Sequence, residues 1–154
     1  MRIVVQRVSS ASVRVEGKTI AEIGAGYLVL AGIMRGDEWD TDVRPLGDKL
    51  AEMRVFADAE GKMNRSVREI GGAILVVSQF TLAGSLKGGR RPEFLQAEEP
   101  SRARALLAQF TSHLRQLGCP VQEGEFGAHM EVALVNDGPV TIWIDSRELR
   151  RASP

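Results

Sequence analysis

The chain has 154 residues, with 20 Lys+Arg against 20 Asp+Glu, two His, one Cys and 5% aromatic residues. A formal charge of zero supplies no global field to gather nucleic acid or an anionic membrane surface, so composition ranks a dedicated nucleic-acid binder low. With 44% hydrophobic and 26% charged residues and no run of about 18 apolar residues, the sequence has the make-up of one ordinary globular domain rather than a membrane span.

Met1 to Val8 is apolar and β-branched, a strand pattern. From Ser12 to Ile23, Val13 and Val15 precede Glu16-Gly17-Lys18 while Ile20 and Ile23 follow, which predicts a β-hairpin. Gly26 to Ile33 is a continuous apolar run of strand length. From Asp37 to Arg54 the period changes: Trp39, Val43, Leu46, Leu50 and Met53 recur at helical spacing, with Asp37 and Glu38 expected in the first turn and Pro45 expected to kink or split the helix. Asp58 to Lys62 reads as a turn, and Gly72 to Phe80 as a central strand. Leu82 to Pro100 is loop-like. Ser101 is expected to cap a helix ending near Leu117, closed by Gly118 and Pro120. The remaining strands are Val121 to Phe126, Met130 to Val135 and Val140 to Ile144, the last two separated by an Asn-Asp-Gly-Pro turn.

No repeat, linker or low-complexity tract divides the chain. The expectation is one α+β domain over residues 1–146, a largely antiparallel barrel-like sheet with two main helices, followed by a frayed polar tail over 147–154. The start lacks a signal-peptide layout, and a lone Cys119 cannot form an internal disulfide; both fit a cytoplasmic protein.

No P-loop, GxGxxG, CxxC, HExxH or GxSxG motif is present. His113 and His129 have no second His or Cys at metal-ligand spacing, so no metal site is expected; either could join a Ser-His-Asp triad assembled in space, but the surface reading is favoured for both, less strongly for His129. Three segments carry chemistry. Ser78-Gln79-Phe80-Thr81-Leu82 ends an apolar strand in hydroxyls and an amide, which suits either a pocket or the satisfaction of turn backbone. Asn136-Asp137-Gly138-Pro139-Val140-Thr141 is, by itself, hairpin chemistry. Lys87-Gly-Gly-Arg90-Arg91-Pro92 is a basic flexible loop that can hold phosphate or simply be solvated.

Taken together, the MRIVVQRVSSASVRVEG start, AEGKMN, VVSQFTL, RRPEF and NDGPVTIWIDS resemble the D-aminoacyl-tRNA deacylase family over nearly the whole chain. The resemblance implies hydrolysis of the ester between a D-amino acid and the 3′-terminal ribose of tRNA, and nothing in the sequence calls for a cofactor. It implies a homodimer with active sites at the interface, and a cis Gly138-Pro139 peptide that reaches into the partner's pocket. It places the ester beside Ser78, Gln79, Phe80 and Thr81, with Arg7 bracing the Gly138-Pro139 segment. Main-chain carbonyls of Gly138 and Pro139 that accept from the substrate ammonium would exclude an L side chain sterically, and would leave glycyl-tRNA as a further substrate. Thr81 is the candidate nucleophile, but no base is visible to activate it; attack by water assisted by the ribose 2′-OH is favoured. Lys87, Arg90 and Arg91 are expected to touch the tRNA. The competing readings are a general small esterase and a non-catalytic dimeric RNA-binding module.

Zero net charge is a sum of uneven parts: residues 37–60 hold eight acidic and three basic residues, residues 85–92 three basic and none acidic. This distribution fits a local cationic rim and weak, salt-sensitive grip on tRNA.

Overall fold

The computed structural model describes residues 1–150. Alternating apolar residues make β1 (Arg2–Val15), which turns through Glu16 and Gly17, both at positive φ, into β2 (Lys18–Ile23). Two successive left-handed residues match the twist of a tight hairpin, and glycine takes the second place at no steric cost. A register shift at Val13/Arg14 turns Ala21 and Ile23 inward and leaves Ile20 in solvent, where spacing alone had paired it with Ile23.

The central strands are β3 (Gly26–Gly32) and β6 (Ala73–Ser78), which pair in parallel. Each is buried on both faces: Tyr27, Val29, Ala31, Ile74 and Val76 join one core, and Leu28, Leu75 and Val77 the other. Burial on both sides is why these strands read as unbroken apolar runs. The short β7 (Val121–Glu123) also runs parallel to β6, giving the order β2-β1-β3-β6-β7, while β8 (Glu131–Asp145) lies antiparallel along β1. The sheet curls into a nearly closed, mixed barrel. A separate small hairpin pairs β4 (Phe56–Ala57) with β5 (Met63–Arg65) around the expected Asp58–Lys62 turn.

Helices cover one side. Pro45 does split the 37–54 pattern: a π-helical turn at Trp39–Val43 gives way to α1 (Arg44–Glu52), with the proline in its first turn, where its missing N–H costs nothing. Asp37 sits outside the helix and is fully buried, ion-paired with the Met1 amino group and accepting from the Met34 N–H at 2.7 Å. α2 (Pro100–Gln116) is capped by the Glu99 carboxylate, which accepts from the N–H groups of Ser101 and Arg102, so Ser101 is inside the helix rather than its cap. His113 is not a solvated side chain; its Nε2 lies 2.6 Å from Asp48 Oδ1, bridging α2 to α1.

The expected frayed tail is helical as far as it is described. α3 (Ser146–Arg150) docks through Ser146, whose hydroxyl donates to Asp42 at 2.7 Å, and through an Arg150–Asp42 ion pair. Residues 151–154 of the proposed tail lie outside the described residues.

The Asn-Asp-Gly-Pro segment is the largest departure. Both flanks pair antiparallel with β1, so β8 is one strand and not two strands of a hairpin. Between the Ser10–Val135 and Gln6–Thr141 pairs, β1 takes four steps and β8 takes six. The surplus backbone is thrown out of the sheet as Asp137-Gly138-Pro139.

Candidate active site

Ser78 is the last residue of β6, paired with Ala31 of β3, and the N–H of Gln79 still donates to the Ala31 carbonyl at 2.8 Å. The chain then winds into a 3₁₀ turn over Phe80–Ala83. The first N–H groups of such a turn have no acceptor within it, and among the described residues those of Phe80 and Thr81 have no main-chain partner elsewhere. The Gln79 amide donates to the Thr81 hydroxyl, which joins those two side chains. Phe80 is exposed and meets Phe94 edge-on, with ring centroids 5.1 Å apart.

A cavity of about 580 Å³ opens beside this turn, walled by Phe80, Phe94, Phe126, Leu107 and Pro100, with Ser78 and Gln79 at its floor. That size accommodates a nucleoside-sized ligand. Ser78, Gln79 and Phe80 also line a smaller cavity of about 240 Å³ that contains His129. Ser78, Gln79 and Phe80 line both cavities; Thr81 lines neither and is tied to them through the Gln79 amide.

Gly138, Pro139 and Arg7 lie elsewhere. None lines a cavity containing Ser78. Arg7 projects from β1, and its Nε donates to the Asp137 carbonyl at 2.9 Å while Nη1 donates to the Val55 carbonyl at 2.6 Å. The Gly138-Pro139 peptide is cis and solvent-exposed. Gly138 has φ +140°, and a Cβ there would lie 3.0 Å from Arg7 Nη2 and 2.9 Å from Val140 Cγ2, so only glycine fits. The segment is therefore presented outward, away from the pocket of its own chain.

Asn136 was missed by sequence reasoning as anything but turn chemistry. Its amide donates to the Thr141 hydroxyl at 2.8 Å, and its carbonyl oxygen accepts from the Val140 N–H at 2.8 Å, so one side chain ties the two shoulders of the excursion together. The available signal was the Asn itself, a residue that bonds nearby backbone readily.

Lys87, Arg90 and Arg91 are exposed on the loop beyond the 3₁₀ turn, and none lines the large cavity. Among the described residues none of the three makes an ion pair. No three His, Cys, Asp or Glu side chains converge among the described residues. Cys119 is buried, and burial pushes its thiol up from the ordinary cysteine range, away from thiolate reactivity.

Residues 4–145 match the family model described as D-Tyr-tRNA(Tyr) deacylase. The chain belongs to that deacylase family. It is 54% identical over 153 residues to the D-aminoacyl-tRNA deacylase of Thermomicrobium roseum, covering 99% of each chain. It is 55% identical to that of Paracoccus denitrificans, covering 96% of this chain and 99% of the relative. Among solved structures it is similar to a c-Myc DNA unwinding element binding protein at 40% identity, with a TM-score of 0.89 over 94% of this chain and 98% of that one. A structure described as a probable eukaryotic D-amino acid tRNA deacylase, at 22% identity and a TM-score of 0.77, shares the fold, covering 94% of this chain and 98% of that one. The deacylase match contains both the Ser78–Thr81 turn and the Asp137–Pro139 excursion, while α3 falls beyond it.

Proposed function

We propose that this chain hydrolyses the ester between a D-amino acid and the 3′-terminal ribose of tRNA, releasing the amino acid and free tRNA. The observation that carries this reading is the pairing of an apolar nucleoside-sized cavity at Ser78–Thr81 with an outward main-chain wedge at Gly138-Pro139, in a chain homologous to deacylases over its whole length.

The protein works as a homodimer in which Gly138-Pro139 of one copy enters the cavity of the other. Two features support this. The wedge faces away from its own pocket, and β8 is an edge strand that exposes Val135 and Trp143 on its outer face. An exposed apolar edge invites pairing with a second copy.

In the assembled site the terminal nucleoside fills the aromatic cavity, which sets its 3′-ester against the 3₁₀ turn. The carbonyls of the partner's wedge accept from the α-ammonium. An L-amino acid held by the same ammonium and ester drives its side chain into the wedge, whereas a D-amino acid turns it away and glycine has none to clash. Selection made by main chain reads no side chain, so many D-amino acids and glycyl-tRNA are substrates.

Water adds to the ester carbonyl carbon, and the resulting oxyanion is held by the N–H groups of Phe80 and Thr81. The bond to the ribose 3′-oxygen then breaks, and that oxygen leaves with a proton relayed through the neighbouring 2′-OH. Thr81 orients rather than attacks: among the described residues its hydroxyl makes one hydrogen bond, accepted from the Gln79 amide, and none with a His or a carboxylate. Lys87, Arg90 and Arg91 steer the acceptor end as a local cationic rim. The buried, unpaired Cys119 fits a reducing cytoplasm, and among the described residues no helix is long and apolar enough to cross a membrane.

The test is deacylation of matched D-Tyr-tRNA and L-Tyr-tRNA by the purified protein. Rapid loss of the D-ester alone is expected. Equal loss of both would leave a general esterase, and tRNA binding without release would leave an RNA-binding module.

A further inference from the structure

Arg35 is the one cation among the residues lining the large cavity. The cavity's two carboxylates are already committed to the protein's own donors: Glu98 takes Arg102 at 2.6 Å and the Gly36 N–H at 3.2 Å, and Glu99 caps α2. Arg35 is different. Its main chain is fixed on both sides, the N–H donating to Gln96 at 2.7 Å and the carbonyl accepting from Arg147 at 3.1 Å. Its Nε donates to the Leu95 carbonyl at 3.1 Å, which aims the guanidinium. Among the described residues no carboxylate pairs with it and neither Nη has an acceptor, although the side chain is exposed. An anchored guanidinium with its forked donors free is shaped for an oxyanion.

The position of Arg35 identifies that anion. At Gly32 a Cβ would lie 2.7 Å from the Gln79 carbonyl oxygen, so this end of β3 abuts the reacting end of the cavity. Arg35 follows three residues later, hence within about 11 Å of Gly32 along the chain. With the 3′-ester at Ser78–Thr81 and the base against the aromatic walls, the group of a nucleotide left to reach the mouth is its 5′-phosphate. We infer that Arg35 binds the phosphodiester on the 5′ side of the terminal nucleoside. This rests on the deacylase reading above.

The inference is tested with two small esters, adenosine bearing a D-tyrosyl group on its 3′-oxygen and the same compound carrying a 5′-phosphate. Wild-type protein is expected to favour the phosphorylated ester in kcat/KM by roughly tenfold, the worth of one charge-assisted hydrogen bond. In Arg35→Gln that preference disappears, and Arg35→Lys restores only part of it. On D-Tyr-tRNA, Arg35→Gln raises KM rather than lowering kcat, and the salt dependence of binding flattens by about one unit of slope. The same phosphate preference in wild type and Arg35→Gln, or an equal loss on both esters, would overturn the assignment. Affinities of the two amide-linked, uncleavable analogues supply the same comparison without turnover. A wild-type protein that binds the phosphorylated analogue preferentially yet cleaves no D-ester refutes the deacylase reading and leaves the phosphate site standing.

Discussion

Arg7→Ala removes the two hydrogen bonds that hold the excursion of β8 against the body of the barrel. The bond to the Val55 carbonyl, at 2.6 Å, is part-buried, while that to the Asp137 carbonyl, at 2.9 Å, is exposed. A charged donor lost from a part-buried carbonyl costs about 2 kcal/mol, and the exposed bond, discounted for solvent, about 1 kcal/mol. For a domain of this size about 3 kcal/mol lowers Tm by about 6–12 °C. On the proposed mechanism the functional effect is larger than the thermal one suggests, because a wedge that excludes an L side chain must hold its place. If loosening it lowers the penalty on an L side chain by even about 1.4 kcal/mol, the D-over-L rate ratio drops about tenfold. Arg7→Lys keeps the charge but cannot span both carbonyls, so it should fall between the two. The assay is single-turnover deacylation of D-Tyr-tRNA and L-Tyr-tRNA beside a thermal melt. A D-over-L ratio for Arg7→Ala within about twofold of wild type would refute the bracing role.

Thr81→Ala is expected to keep kcat within about tenfold of wild type, whereas a substrate with a 2′-deoxy terminal ribose should lose about a hundredfold or more; a collapse confined to Thr81→Ala would identify a threonine nucleophile instead. Trp143→Glu places a charge on the exposed face of β8 and should give a monomer in sedimentation with little hydrolysis, and a fully active dimer would remove β8 from the interface. Burial opposes ionisation of Asp42, but the Glu38 N–H, the Ser146 and Thr41 hydroxyls and Arg150 outweigh it and hold the carboxyl down at about 2. A group depressed in this way stabilises the fold fully above its unfolded value near 4, and loses that contribution as pH falls towards 2. The stake is about 2–3 kcal/mol. Urea unfolding should therefore show a steeper acid limb for wild type than for Asp42→Asn; parallel curves between pH 4 and 2.5 would refute the assignment.

Period and punctuation made most elements legible. Leu106, Phe110 and Leu114 mark the buried face of α2, and Pro45 marks where the first helix divides. What stayed hidden was non-local. Gly26–Gly32 and Ala73–Ser78 look the same whether they pair in parallel or antiparallel, because a strand buried on both faces has no alternation to reveal its neighbours. Asp37 resembles a first-turn helix acid until the fold brings the Met1 amino group to it. For the site, the SQFT segment showed its chemistry locally, since hydroxyls and an amide at the end of an apolar strand need partners. Arg35 gave no such sign: in the sequence it is one of 20 basic residues, and only the cavity distinguishes it.

The parity of β8 constrains how this protein can change. Val132, Leu134, Val140, Ile142 and Ile144 all pack against the cores, on even-numbered positions either side of the excursion. They share a face only because the surplus in β8 is two residues. A one-residue slip of Val140 to Ile144 against β1 would turn Trp143 inward and Ile142 and Ile144 out to water, so any change of length has to be taken up by the exposed tip. The reach of the tip can therefore change without disturbing the cores, provided Val140 to Ile144 keep their pairing with β1.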